Sequence, residues 1–410
     1  MKLAIISPNI LPVPALDGGA VEELTTYIIE ENEESHRYDI DLYTIDNDDR
    51  LKNIDYKFTN IIRVKYVPNH RKEMLFNKLN KILARMPNGR MISDFSEKIT
   101  SKYKKNYYDA VVVEDNRQVF NSLIRKVKNE RVYFHVHDDV YPSDSELTRL
   151  QKIIHPSEDN MIKGIIKSSN KIIAVSNYLE NRFKQFGAKN TVTLYNGVIK
   201  KELTQLSIHN QKLLKQKYGI KKDDIVFTFI GRFTDDKGID KLLEALRLLQ
   251  DTSKVKCLIV GKNWLHSESE DNYTKKLTQI YQKLPEKTKE NIVFTGYIDH
   301  KDINEIYSIT DCLVIPSQYE EVFGVVALEA MTMGVPVIAS NSGGLPEVLG
   351  NSALIINRNA DFTLNLATAM TKICNNSNLR SELGRNGIER SYKFPNTKKQ
   401  YFDNFCKIVK

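Results

Sequence analysis

Short apolar runs alternate with longer amphipathic stretches from one end of the chain to the other, and no internal repeat or low-complexity tract interrupts them. Short apolar runs bounded by turn residues read as strands buried on both faces, and the stretches of 3.6-residue period between them as helices. In the first half, strands are expected at Leu3 to Ser7, Asp39 to Ile45, Ile61 to Val67, Asp109 to Val113, Val132 to His135 and Lys171 to Val175. In the second half they begin at Ile225, Val255, Ile292, Cys312, Val337 and Ala353. Strand and helix in alternation imply an α/β protein with parallel sheets covered on both faces. The 410 residues, 41% hydrophobic and 27% charged, exceed one ordinary core and suit two domains of about 200 residues. The polar connection from about Asn196 to Lys222 is the natural join, which divides the chain into 1–195, 196–392 and a closing segment, 393–410, with a helix beyond Pro395.

Two loops concentrate the chemistry. The strand ending at Pro316 runs into Glu320-Glu321-Val322-Phe323-Gly324-Val325 and a helix that closes at Gly334, so Glu321 falls in the loop and Glu329 about two turns into the helix. Eight residues at 1.5 Å each would put roughly 12 Å between these carboxylates, too far for one metal ion and suited to an extended ligand. The N–H groups around Phe323, Gly324 and Val325 begin a helix and can receive phosphate there. Upstream, the buried strand Ile225 to Ile230 runs into Gly231-Arg232-Phe233-Thr234-Asp235-Asp236-Lys237-Gly238. Arg232 and Lys237, at the carboxyl end of a parallel strand, are placed to clamp a diphosphate, one as a planar fork and the other as a mobile point charge.

The run E-x-F-G-x-x-x-x-E, followed by Gly334-Val335-Pro336 and Gly343-Gly344-Leu345-Pro346-Glu347, resembles the signature of family 4 glycosyltransferases, retaining enzymes of GT-B fold. That resemblance implies two Rossmann-like domains facing an interdomain cleft, with the first taking the acceptor and the second a nucleoside diphosphate sugar, and a last helix crossing back to the first domain. It assigns Arg232 and Lys237 to the departing diphosphate in place of a divalent metal, so no metal or other cofactor is expected. Glu321 would hold hydroxyls of the donor sugar, Glu329 the ribose hydroxyls, and the Gly296-Tyr297-Ile298 turn the base. On the first domain it implies that Gly18 and Gly19, after Asp17, face the donor phosphates, and that a histidine of His135-Val136-His137 contacts the transferred sugar. His137 is the better candidate because it lies nearer the strand's end, and the period of two puts both imidazoles on one face. Ser176-Asn177-Tyr178 and Tyr195-Asn196-Gly197-Val198 fit the same pattern as architectural segments. The motifs cover Gly231 to Glu347 almost throughout but only scattered positions of the first half. The donor, a UDP-sugar by preference, is therefore better defined than the acceptor, which can be a glycan, a lipid-linked sugar or a protein in surface polysaccharide, teichoic acid or glycoprotein synthesis.

Other chemistries fit less well. A dinucleotide oxidoreductase would need G-x-G-x-x-G directly after the first strand, and it is absent. A sugar-nucleotide epimerase of the same fold and a non-catalytic nucleotide-sugar-binding protein remain as alternatives. Asp39-Ile40-Asp41 and Asp46-Asn47-Asp48 read as surface and loop charges. Cys257, Cys312, Cys374 and Cys406 are widely spaced and read as free thiols, the first two in buried strands. Met1 to Pro8 reads as a first strand and not a signal peptide, and no apolar run has the length of a membrane span, so a cytoplasmic protein is expected.

The net charge of +8 is not gathered into a nucleic-acid-binding arm. Part of the excess lies on an amphipathic helix, Arg71 to Met86, with Leu75, Leu79, Ile82 and Met86 on one stripe and Lys78, Lys81 and Arg85 beside it. Two uses are open: the stripe packs on the first domain's own sheet, or it meets an anionic membrane surface on the inner face of the cell membrane.

Overall fold

The computed structural model describes the chain except residues 9, 17, 68, 84–91, 140–158 and 262–271. The chain divides into two compact units, Met1–Asn196 with Lys398–Lys410, and Gly197–Thr397. Each is a Rossmann-like α/β layer structure around one parallel sheet, the architecture of the GT-B fold.

The first sheet holds β1 (Lys2–Ile6), β2 (Asp39–Ile45), β3 (Thr59–Val64), β4 (Ala110–Glu114), β5 (Arg131–Val136), β6 (Lys171–Ala174) and β7 (Thr191–Thr193), ordered β3-β2-β1-β4-β5-β6-β7. Every pairing is parallel, for example Leu3 beside Ile40 on one side and Ala110 on the other. The second sheet holds β8 (Ile225–Ile230), β9 (Val255–Val260), β10 (Ile292–Gly296), β11 (Cys312–Ile315), β12 (Val337–Ser340) and β13 (Ala353–Ile356), ordered β10-β9-β8-β11-β12-β13. The strand order reverses between β1 and β4 in one sheet and between β8 and β11 in the other. In open parallel sheets the crevice at such a switch point, at the carboxyl ends of the strands, is where ligands bind.

The apolar runs form strands because both faces of each sheet are covered. Val111, Val112, Val113, Phe227, Leu313 and Ile338 are among the residues fully removed from solvent. Cys257 and Cys312 are buried free thiols in β9 and β11, and burial raises the pKa of both. The short strand β7 was not expected. Its residues Thr191-Val192-Thr193 alternate polar and apolar at the edge of the sheet and lack the apolar run that marks the others. One acidic pair differs from expectation. Asp39 is exposed, but Asp41 is buried and accepts hydrogen bonds from Lys104 (2.7 Å), Tyr108 (2.6 Å) and Asn60 (2.7 Å), so it is an internal anchor and not a surface charge.

For the amphipathic helix, described over His70–Leu83, one of the two open uses falls away. Its apolar stripe does not pack on the sheet: Leu75 and Ile82 are 66% and 62% exposed, and Leu79 is exposed too. Arg85 and Met86, at the end of the expected helix, lie outside the described residues.

The last helix, Lys398–Ile408, belongs to the first unit and packs on the Ala20–Ser35 helix. Tyr401, Phe402, Phe405 and Ile408 recur at helical spacing and are buried. The Tyr38 ring meets the Phe402 and Phe405 rings edge-on at 6.2 and 6.3 Å, and its hydroxyl donates to the Val409 carbonyl at 2.7 Å. Truncating Phe405 to alanine should therefore leave a cavity and cost about 3–5 kcal/mol in a denaturant titration. A loss below about 1 kcal/mol would show that this helix adds little to the first unit.

Candidate active site

In the second unit the two loops that flank the switch point are stitched together through their backbones. The loop after β8 ends in a short turn, Asp235–Lys237, and Gly238 in the left-handed region (φ 70°), from which the Ile239–Leu248 helix starts. A Cβ on Gly238 would lie 2.0 Å from the Pro316 carbonyl oxygen, so only glycine lets the β8 loop abut the β11 loop this closely. Gln318 N–H donates to the Asp236 carbonyl at 2.7 Å across the same seam.

That seam delivers Lys237 to Glu321. The ammonium nitrogen stands 2.6 Å from Glu321 Oε1, which also accepts the Ser317 hydroxyl at 2.7 Å. Two residues singled out separately from sequence thus meet directly, both partly buried. An ammonium carries three donors, so Lys237 can hold Glu321 and still donate to a phosphate oxygen. Glu321 Oε2 makes no hydrogen bond among the described residues and is available to a hydroxyl group. Arg232 lies on the same loop as Lys237, with an exposed side chain that makes no hydrogen bond or ion pair among the described residues.

A second seam sets the start of the Val325–Thr332 helix. Gly344 N–H donates to the Glu321 carbonyl at 2.6 Å, and Glu321 N–H to the Ser342 hydroxyl at 3.0 Å. Glu320 accepts from Gly343 N–H at 2.5 Å and from the Arg358 guanidinium, which also donates to the Gln318 and Asn341 carbonyls. Gly324, at φ 89°, is the residue before the helix, and its missing Cβ leaves room for Leu345. The ring of Phe323 is buried against Phe394 at 5.6 Å, so this residue offers only its backbone to the loop. Val325 is the first residue of the helix, where N–H groups have no intrahelical acceptor.

Glu329 is the fifth helical residue, a little over one turn in, and not two turns as its spacing from Glu321 suggested; only the segment from Val325 onward rises at helical pitch. Its buried carboxylate accepts from His300 Nε2 at 2.7 Å and from the Tyr307 hydroxyl at 2.8 Å. Burial, reinforced by the Glu329 charge, raises the Tyr307 pKa well above its ordinary value and keeps that donor protonated. A carboxylate offers about four lone-pair sites, so two further hydroxyls can still bind. The turn ahead of His300 carries Gly296 (φ 78°), an exposed Tyr297 and a half-buried Ile298.

The first unit has its own cluster at the ends of β4 and β5. His135 and His137 do share a face, their rings 4.0 Å apart, and both approach one oxygen of Glu114: Nδ1 of His135 at 2.9 Å and Nε2 of His137 at 2.8 Å. All three side chains are almost wholly buried. Their ligand atoms lie within 4.8 Å of one another, a set chemically able to hold a metal ion, but the Glu114 oxygen already serves as hydrogen-bond acceptor for His137. Burial alone would raise the Glu114 carboxyl, yet the two imidazoles hold it down at about 2. Burial, and then His135, lower the pKa of His137. A neutral His137 donating from Nε2 leaves Nδ1 as an acceptor. The adjoining Asp115 sits at φ 49° and accepts the His137 backbone N–H at 3.0 Å. Gly18 (φ 82°) and Gly19 (φ 102°) precede the Ala20–Ser35 helix, and a Cβ on Gly19 would strike the Glu22 carboxylate at 2.3 Å. Burial raises the Glu22 carboxyl, offset in part by its own backbone and by His137. Asp17 lies outside the described residues.

Residues 210–390 match the family model described as Glycosyl transferases group 1. It is similar to spore coat protein SA of Bacillus subtilis (strain 168), 26% identical over 402 residues that span 94% of this chain and 93% of that protein. It is also similar to the lipopolysaccharide 1,2-N-acetylglucosaminetransferase of Salmonella typhimurium (strain LT2), 26% identical over 277 residues, 67% of this chain and 64% of that one. Among solved structures, Anabaena Alr3699/HepE in complex with UDP and glucose has a TM-score of 0.72 at 18% identity, over 99% of this chain and 98% of that chain, a likeness of fold.

Sequence reading did not single out Glu114, Asp115, His300, Tyr307, Ser317, Ser342 or Arg358. Glu114 carried a usable signal, a carboxylate ending the apolar run Ala110 to Val113, where an unpaired charge would be costly. The others become visible only when loops distant in sequence are brought together.

The Asp115 carboxyl has a measurable consequence. Burial pushes it up from 3.8 to about 6, so the folded chain keeps a proton there that the unfolded chain loses. Stability contributed at this position falls as pH rises from about 4 to about 6 and stays lower above that. Asp115→Asn keeps an acceptor for His137 N–H but cannot titrate. It should raise the melting temperature relative to the parent protein at pH 7 and have much less effect at pH 4. An equal change at both pH values would mean that Asp115 is not protonated in the folded chain.

Proposed function

We propose that the protein transfers a sugar from a nucleoside diphosphate sugar, UDP-linked by preference, to a hydroxyl of a saccharide acceptor with retention of anomeric configuration, in the assembly of a surface polysaccharide. The observation that carries this reading is the Lys237–Glu321 contact: a cation suited to phosphate meets a carboxylate suited to hydroxyl groups, on the loop that leads into the Val325–Thr332 helix start. The polysaccharide reading draws on the Salmonella relative, named for lipopolysaccharide synthesis, and the UDP preference on the Anabaena structure of like fold.

Charge on the departing diphosphate is met by Lys237, Arg232 and the N–H groups from Gly324 onward. These fixed donors cost no reorganisation as the sugar–phosphate bond breaks, and they replace a divalent cation. Glu321 Oε2 accepts donor-sugar hydroxyls. Glu329, held by His300 and Tyr307, accepts the ribose diol with one hydroxyl on each oxygen, and the base rests against Tyr297 and Ile298. In the first unit, Gly18 and Gly19 are assigned to the donor phosphates and His137 to the transferred sugar. The departing phosphate assists removal of the acceptor proton, so no protein nucleophile is invoked.

Thermal unfolding with UDP, GDP, ADP and TDP in the presence of EDTA tests the binding half, since a ligand of the native state raises its melting temperature. UDP should give the largest shift, and no shift with any nucleotide would overturn the proposal. Glu329→Ala should weaken UDP binding, whereas Glu321→Ala should leave UDP binding nearly intact and reduce turnover. Replacing both Arg232 and Lys237 by alanine should lower the transfer rate by orders of magnitude, each lost charged contact being worth about 1.5–3 kcal/mol. Full activity in that double variant would mean another group neutralises the diphosphate, and free epimer formed without acceptor would favour an epimerase.

A further inference from the structure

The His70–Leu83 helix is mounted on the first unit by a face that includes polar anchors. Asn80 is buried and pairs with the backbone of Ile92 in both directions, its Nδ2 donating to the carbonyl and its Oδ1 accepting the N–H, each at 2.9 Å. Glu73, on the same side, accepts the Tyr66 hydroxyl at 2.9 Å, and Tyr66 in turn packs edge-on against the buried ring of Phe95 at 5.4 Å. Glu73, Phe76, Asn80 and Leu83, two polar and two apolar residues, form this inner stripe at helical spacing. A second stripe, about a third of a turn away, consists of Leu75, Leu79 and Ile82, all exposed, with Met74 exposed too. A surface helix ordinarily buries its apolar side chains; this one leaves a whole apolar stripe in water.

The flanks of the outward stripe are cationic. Arg71, Lys72 and Lys78 are exposed beside it. The nearby acidic groups are engaged toward the protein, Glu73 with Tyr66 and Asp94 with Lys98 at 3.0 Å and Lys72 at 3.6 Å. None of the described helices is long and apolar enough to cross a membrane. An apolar strip between rows of cations is suited to lying in the plane of an anionic bilayer surface, with the aliphatic side chains below the headgroups and the cations among them. Self-association through this strip is disfavoured because a two-fold contact would bring Arg71 and Lys78 of both copies together. We propose that the His70–Leu83 helix is a docking surface for anionic lipid headgroups, which holds the first unit on a membrane surface. The inference does not depend on which sugar is moved.

Sedimentation of the full chain with sucrose-loaded vesicles tests it. Vesicles of phosphatidylcholine with 30% phosphatidylglycerol, a composition of about physiological anionic content, should carry the protein down, and pure phosphatidylcholine should carry roughly tenfold less. Binding should weaken in high salt as the headgroup attraction is screened. Leu75→Ser with Ile82→Ser should lower binding at least about tenfold, and Arg71→Glu with Lys78→Glu should do the same. Both pairs should keep the parent melting temperature, because the substituted side chains face solvent. Equal sedimentation with both vesicle types, or undiminished binding of the two double variants, would overturn the proposal. So would a dimer in light scattering that Leu75→Ser with Ile82→Ser converts to monomer, since the stripe would then belong to a second copy of the chain.

Discussion

The ion pair between Lys237 and Glu321 is the contact on which the second unit's site depends. It joins the two loops at the point where the strand order reverses between β8 and β11, and backbone contacts between those loops bring the two side chains within reach of each other. An ion pair at this degree of burial gains little net stability, since desolvation offsets much of the attraction. Its value lies in position. Each partner is held in one place while keeping hydrogen-bonding capacity unspent, so a ligand with both phosphate and hydroxyl groups finds its two kinds of partner already side by side. Preorganisation of this sort lowers the cost of binding because few side chains remain to be ordered.

A network of loop contacts supports the pair. Ser342, Gly343 and Gly344 hold the Glu320–Glu321 backbone, and the Arg358 guanidinium ties Glu320 to the carbonyls of Gln318 and Asn341. Arg358 suits this task because its planar fork can serve three acceptors at once, which a lysine ammonium does less rigidly. The glycine pair has a plain steric reason: a Cβ on Gly343 would lie 2.2 Å from the Glu321 carbonyl oxygen, and one on Gly344 would lie 2.5 Å from that of Val322. The Gly-Gly-Leu-Pro-Glu segment is therefore a brace for the Glu320–Phe323 loop and contacts it mainly through its backbone.

Much of this was legible in the sequence because parallel sheets write themselves as apolar runs. All six strands of the second unit begin at the residues where those runs begin, and Lys237, Glu321, Gly324 and Glu329 fall on the loops and helix that periodicity indicated. The edge strand β7 escaped because an edge does not require a continuous apolar run. Asp41 was misread because a charge in a strand looks the same whether it faces water or a buried Lys104 and Tyr108. The basic helix reads from sequence as amphipathic, with its orientation left open. Periodicity says that two faces differ and is silent on which is inward; here a single buried asparagine, Asn80, decides it.

The first unit obeys a different logic. Around Glu114 the polar groups are almost completely removed from water, and Glu114 Oε1 and His135 Nε2 find no hydrogen-bond partner among the described residues. An unsatisfied buried polar atom costs roughly 1–3 kcal/mol, which an apolar side chain in the same place would avoid. A fold that needed only packing at the ends of β4 and β5 would have apolar side chains there, like Val111 to Val113 and Val132 to Phe134. The carboxylate instead keeps His137 at the strand's end in one tautomer, with Asp115 fixing the backbone that carries it. Lys237 and Glu321 retain capacity at partly exposed atoms, whereas Glu114 spends its own on aligning a neighbour. The two units thus position their polar groups by opposite means, one by stitching loops at its surface and the other by burying a charge at the ends of its own strands.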